Sequence, residues 1–169
     1  MLYFYKQGEI PPRPEIPEGI EIRRQNPHPV VCNMSAMQMG KKKYLYFQFL
    51  TFLCRGFKRV FREYDVLIGN KIVSKAVLIS KVPIYEFLPK KGVHVCYCET
   101  VPEARGKGYY PLLLKYIQND MPEKNLYMIV DVTNNASIKG IEKSGFVRFA
   151  EGSKNSKGVF KITNYIKKI

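Results

Sequence analysis

The sequence contains no tryptophan, only two histidines and only four cysteines in 169 residues. None of the cysteines (Cys32, Cys54, Cys96, Cys98) belongs to a Cys-x-x-Cys pair. Cys96 and Cys98 carry strand spacing, which predicts both thiols on one strand face, and not zinc-ligand spacing. With His28 and His94 as the whole imidazole complement, no metal site is expected. Long apolar runs are missing too. The strongest, Tyr44 to Cys54, is broken by Gln48 and Thr51 and falls short of the ~20 residues a spanning helix needs. The opening Met1-Leu-Tyr-Phe-Tyr-Lys6 lacks the apolar stretch and small-residue cleavage site of an export signal. Free thiols without such a signal predict a cytoplasmic protein. Acidic residues are also scarce, with 14 Asp+Glu against 28 Lys+Arg and a net charge of +14. The excess is spread over both halves of the chain, so it is no basic tail. It favours anionic partners and disfavours polycationic ligands such as polyamines.

What is present reads as one globular domain over 1–169, with 46% hydrophobic residues. Residues 1–19 hold a short strand at 2–5 and a connector rich in proline (Pro11, Pro12, Pro14, Pro17). Ile20 to Gln25 begins with strand alternation, and Asn26-Pro-His-Pro29 ends it. Residues 35–63 lack proline and are predicted to form one or two helices with a break at Gly56. Tyr64–Ile68 and Ile72–Lys81 flank Gly69-Asn70, a hairpin signal. Strands are expected at 94–101, 126–132, 146–150 and 159–165, and helices at 109–119 and 136–143, the last closed by Gly145. The fold class is α/β, an α+β mixed sheet of about seven strands flanked by about four helices.

The chemistry concentrates in Thr100-Val-Pro-Glu-Ala-Arg-Gly-Lys-Gly-Tyr-Tyr110. A strand ends, a glycine-rich turn follows and a helix begins. Backbone N–H groups in such a turn cradle phosphate oxygens. Gly106 and Gly108 permit close approach, and Arg105 and Lys107 add positive charge. The turn is neither a Walker A loop nor a dinucleotide fingerprint, because Gly108 follows Lys107 and Pro111 occupies the place of a third glycine. A second element follows: Asn134-Asn-Ala-Ser-Ile-Lys-Gly-Ile-Glu-Lys-Ser-Gly-Phe146.

Together these two segments resemble the GNAT superfamily of N-acetyltransferases. Arg105, Gly108 and Tyr110 fall on the marked positions of its loop R/Q-x-x-G-x-G/A. Asn134, Lys143, Gly145 and Phe146 match its N-x-x-A-x-x-x-Y-x-K-x-G-F segment. The resemblance implies that residues 94–146 form an acetyl-CoA-binding core, a wedge between two splayed parallel strands at 94–101 and 126–132. It implies pyrophosphate on the backbone of Arg105, Gly106, Lys107, Gly108, Tyr109 and Tyr110. The pantetheine arm would lie along Cys98, Thr100 and Val101, with Asn134 and Ser137 on its other side. A backbone N–H of the first strand would polarise the thioester carbonyl while the amine attacks it directly. Three positions depart from the pattern. Tyr110, followed by Pro111, replaces Gly or Ala and is biased away from helical geometry. Ile141 replaces the tyrosine that often reprotonates the leaving thiolate, and Ser137 replaces Ala.

For the base, His94 falls where the histone-acetylating branch carries a carboxylate, and a histidine is suited to take a proton near neutral pH. Glu99 is the alternative. His94, Cys96 and Cys98 are expected on one strand face, and Tyr97 and Glu99 on the other. The implied function is transfer of an acetyl group from acetyl-CoA to a primary amine. The basic, aromatic stretch 41–62 suggests an anionic acceptor such as an amino sugar, or weak contact with acidic lipid heads. Two alternatives stand: a non-catalytic acyl-CoA-binding protein of the same fold, and a basic nucleic-acid-binding module. No nucleic acid partner is expected on the first reading.

Overall fold

The computed structural model describes residues 1–25, 49, 60–81 and 85–166. Apart from Phe49, the expected helical region at 35–59, with most of the basic aromatic stretch 41–62, and Cys32, Cys54 and His28, lie outside the described residues. Eight strands form one sheet: β1 (Leu2–Gln7), β2 (Ile20–Gln25), β3 (Phe61–Ile68), β4 (Lys71–Ser80), β5 (Gly92–Thr100), β6 (Asn125–Asp131), β7 (Phe146–Lys154) and β8 (Phe160–Tyr165). Their order across the sheet is β2-β3-β4-β5-β6-β1-β7-β8. Two α-helices are seen among the described residues, α1 (Tyr109–Asp120) and α2 (Asn135–Lys143), with a 3-10 turn at Pro102–Ala104. The mixed α/β architecture matches the expectation, with one strand more than expected.

The β3–β4 hairpin turns at Gly69 (φ 57), where a left-handed residue is needed. It starts earlier than expected. Phe61, Arg62 and Glu63 are strand, not helix, because they pair with Ile79, Leu78 and Val77 of β4. Residues 2–7 hold the least expected position. They run antiparallel to both β6 and β7 in the interior of the sheet, and Phe4 and Tyr5 are fully buried.

α1 lays Leu113, Leu114 and Ile117 on one sheet face, against Tyr64, Val66, Leu78, Val93 and Val95. Burying such side chains contributes ~1.5–3 kcal/mol each. Polar ties fix the helices in place. The Gln118 Nε2 donates to the carbonyls of Leu114 (3.3 Å) and Ser144 (2.7 Å), joining α1 to the end of α2. The Tyr64 hydroxyl donates to Asp120 at 2.6 Å, and the Tyr5 hydroxyl to Glu142 at 2.9 Å. The opposite face carries a second apolar cluster around Val77, Ile79, Tyr85 and Leu88.

Beside that second cluster lies a buried polar group. The Lys75 ammonium meets the Glu63 carboxylate at 2.8 Å, both almost completely buried. Arg23 and Gln25 donate to Asp65 Oδ2 at 3.2 and 2.9 Å. Asp65 Oδ1 is buried with no hydrogen-bond partner among the described residues. Burial, and then the neighbouring Glu63, push the Asp65 carboxyl up to about 6, against the pull of Lys75 and Arg23. Because its folded value is raised, this group contributes stability that is complete below its ordinary value near 3.8 and is lost as pH rises through about 6.

Removing one partner of a buried ion pair strands the other charge. Lys75→Met is therefore expected to destabilise the fold by ~3–5 kcal/mol, and adding Glu63→Leu should recover a large part. Urea melts of the single and double variants check this. Equal stability of the two variants would show that Glu63 is not stranded. The Asp65→Asn variant should lack the loss of stability between about pH 4 and 6 that this carboxyl adds, read from melting temperature against pH.

Candidate active site

β5 and β6 pair in parallel only at Gly92↔Asn125, Val93↔Leu126 and His94↔Tyr127. Beyond His94 the strands part. β5 stays on β4 to Thr100, while β6 stays on β1. The part of β5 that faces β6 therefore has backbone groups without a strand partner, and these groups demand one. A cleft of about 760 Å³ opens beside the outer end of β5. Its lining comes from the end of β5, the loop after it, the first turn of α1 and the inner face of α2.

A bulge shapes this end of β5. Lys75 pairs with Glu99 and Val77 with Cys96, so one residue of β4 opposes both Tyr97 and Cys98. Tyr97 adopts φ 48, an uncommon conformation for a tyrosine. The extra residue reverses the side-chain alternation. Cys96 and Tyr97 pack with the second cluster, and Cys98 packs on the α1 side. The expected shared face of His94, Cys96 and Cys98 is thus corrected. Cys98 stands at the cleft and Cys96 does not.

The Val101 N–H donates to the Val73 carbonyl at 3.0 Å, so it is used within the sheet. By strand alternation the N–H of Thr100 points the other way, into the gap. The Thr100 carbonyl faces the same side, where it accepts from Arg105 Nε at 3.1 Å. Gly106 (φ 78) and Gly108 (φ 82) are both left-handed, and a Cβ at either would meet open space within 4 Å. α1 starts directly at Tyr109 with no side-chain cap. Its first N–H groups and those of the loop thus form an uncapped concavity of donors at the positive end of a helix. These groups fit a diphosphate.

Tyr110 is helical despite the following proline. Pro111 sits in the first turn, where its missing N–H has no intrahelical role. The Tyr110 ring rests on Gly140 of α2, so closely that a Cβ there would come within 2.5 Å of it. Its hydroxyl donates to Cys98 Sγ, and the Cys98 thiol in turn donates to the Cys96 carbonyl at 3.7 Å. Burial pushes the Tyr110 hydroxyl well above its ordinary value and the Cys98 thiol up to about 12.

Of the sequence-selected residues, Cys98, Glu99, Thr100, Arg105, Gly106, Gly108, Tyr109, Tyr110, Asn134 and Ser137 line the cleft. Val101, Lys107 and His94 do not. Asn134 has a structural duty as well: its Oδ1 caps α2, accepting from the Ser137 N–H at 3.1 Å. Lys139 and Lys143 were not selected, yet they line the cleft one helical turn apart. The i, i+4 spacing on the face of α2 that also carries Ala136 and Gly140 was the signal for them.

His94 departs from the sequence expectation. It lies where β5 and β6 are still paired, and it is 5% exposed. Its ring packs edge-on against Tyr85 at 4.4 Å and Phe87 at 5.7 Å. Its Nδ1 has no partner among the described residues. Burial pushes it down to about 3, so it stays neutral through the physiological range. The aromatic cage explains this, and the strand pattern alone did not show it. Among the described residues no cluster of His, Cys, Asp and Glu could hold a metal ion, and no helix is long and apolar enough to cross a membrane.

A methyl group at Gly140 would displace the Tyr110 ring. Gly140→Ala is expected to cost ~1–3 kcal/mol by overpacking, and Tyr110→Ala in the same chain should relieve most of the clash. Additive losses in denaturant melts would show that the two residues do not share this contact. A nuclear magnetic resonance titration of His94 should show no protonation step between pH 5 and 8.

No protein-family model and no curated protein matches the chain. Solved structures do. An acetyltransferase of the GNAT family from Colwellia psychrerythraea aligns with a TM-score of 0.64 at 11% identity, covering 87% of this chain and 52% of that one. A GCN5-related N-acetyltransferase from Sphaerobacter thermophilus gives 0.60 at 14%, covering 87% and 48%. A tandem GNAT protein from the clavulanic acid biosynthesis pathway gives 0.59 at 14%, covering 87% and 50%. The chain spans about half the length of these structures. The splayed strands, the bulged β5 and the uncapped turn before α1 are thus built on the fold of the GNAT-family acetyltransferases.

Proposed function

We propose that this chain is an acyl-CoA-dependent N-acetyltransferase. The observation that carries the reading is the cleft between the outer end of β5 and α2 that ends on the Gly106–Gly108 donor cradle. The diphosphate of acetyl-CoA would lie on the backbone N–H groups of residues 106–110. Lys139 and Lys143, across the cleft, would add charge to phosphate recognition. The pantetheine arm would run along Cys98 and Thr100, whose outward backbone groups take the place of a missing strand partner. The Thr100 N–H would polarise the thioester carbonyl. Glu99, the carboxylate of the lining, would accept the proton of the attacking amine. His94 is given no role in this scheme. The net charge of +14 favours an anionic acceptor amine.

Calorimetry with acetyl-CoA tests the reading. The chain should bind it, and Lys139→Ala with Lys143→Ala should weaken binding about tenfold at low salt, the sum of two exposed charge contacts. The difference should shrink as salt rises. Absence of acetyl-CoA binding, together with salt-dependent retention of RNA, would replace this reading with the nucleic-acid one. Binding without turnover across a panel of anionic and cationic amines would leave the non-catalytic alternative.

A further inference from the structure

Thr100 lies beside the donor cradle, with its carbonyl bonded to Arg105, and Cys98 is the innermost residue of β5 in the cleft lining. On α2 the matching inner position is Gly140. It is buried, whereas Asn134, Ala136, Lys139 and Lys143 of the same lining are exposed. Tyr110 closes this inner end. It stands in the first turn of α1, packs with Cys98 on the core beneath the cleft, and lays the Cδ1–Cε1 edge of its ring on Gly140. A Cβ at residue 140 would come within 2.5 and 2.9 Å of those two atoms, so only glycine admits the ring there. The next residue of α2, Ile141, is 1% exposed and belongs to the same core. The ring is thus wedged against a helix backbone that is itself anchored in the core.

We propose that the Tyr110 ring is the end wall of the acyl pocket and restricts the donor to a short acyl chain, an assignment that rests on the acyl-CoA reading above. With the diphosphate on the cradle and the thioester carbonyl at the Thr100 N–H, the acyl group is directed past Thr100 toward Cys98, Tyr110 and Gly140. In this arrangement an acetyl methyl ends before the ring. Each further methylene has to displace it, and a close-packed side chain yields only by straining its neighbours. Gly140 is the second half of the device, because any side chain there would push the ring into the path of the acetyl group itself. Tyr110 therefore acts through the size of its ring.

The test needs no acceptor. Free CoA, acetyl-CoA, propionyl-CoA and butyryl-CoA are each titrated into wild type and variants by calorimetry. Wild type should bind butyryl-CoA about tenfold or more weakly than acetyl-CoA, the usual discrimination of a filled apolar pocket against added methylenes. Tyr110→Ala keeps the backbone N–H of the cradle and removes the ring, which occupies more space than the two methylenes that butyryl adds to acetyl. In that variant butyryl-CoA should bind as tightly as acetyl-CoA. Tyr110→Phe keeps the ring and should retain the wild-type order of the four ligands. If Tyr110→Ala no longer holds free CoA, Tyr110→Leu takes its place, and there the limit should move outward to propionyl-CoA. Equal affinity of wild type for acetyl-CoA and butyryl-CoA would overturn the assignment, and so would a ligand order that the loss of the ring leaves unchanged. Either result leaves the acyl-CoA reading intact. Failure of the wild type to bind free CoA or acetyl-CoA would instead remove the acyl-CoA reading.

Discussion

The decisive constraint is the short pairing of two parallel strands. β5 and β6 share three residue pairs and then separate. Every backbone N–H and C=O of β5 beyond that point must still be satisfied, and on the open side no strand among the described residues does it. β6 meets its own demand by pairing with β1, the first strand of the chain, and so does not follow β5 outward. The cleft follows from this mismatch. A bulge next to the opening turns Cys98 and Thr100 toward the gap, and the loop after β5 closes its far end with donors at the mouth of α1.

Two helices then decide what the cleft presents. α1 contributes free N–H groups because Gly108 offers no side chain to cap them. α2 contributes Lys139 and Lys143, while its own first turn is satisfied by Asn134. Their spacing is set by contact between Tyr110 and Gly140 on one side and by Gln118, buried and bonded to the Ser144 carbonyl, on the other. A bulky residue at the helix start and a missing one on the facing helix thus form one packing unit. The charge divides accordingly. Arg105, Lys139 and Lys143 line the cleft, whereas Lys75 and Arg23 are paired with the buried carboxylates of Glu63 and Asp65.

Local signals carried well where one short segment held all the needed chemistry. The Gly69-Asn70 hairpin, the turn through Gly106 and Gly108, and the helix closed at Gly145 each rest on neighbouring residues, and all three are present. Signals failed where a distant segment decided the outcome. Residues 61–63 read as helix within the proline-free stretch 35–63 but are held as strand by β4. The alternation from His94 to Cys98 assumed a regular strand, and one extra residue opposite Ala76 reversed its second half. His94 looked titratable because its aromatic neighbours, Tyr85 and Phe87, come from a loop whose path the strand pattern does not encode.

By itself the sequence determined the alternation of strands and helices, the glycine-rich turn with its donors, and the excess of positive charge. These follow from backbone preference, side-chain period and composition, which act over a few residues at a time. Only the tertiary structure decided that the first strand lies inside the sheet, that β5 and β6 part after three pairs, and that the Tyr110 hydroxyl meets Cys98. Each of these depends on which groups from far apart in the chain satisfy one another's hydrogen bonds and fill one another's space, and no local pattern records that choice.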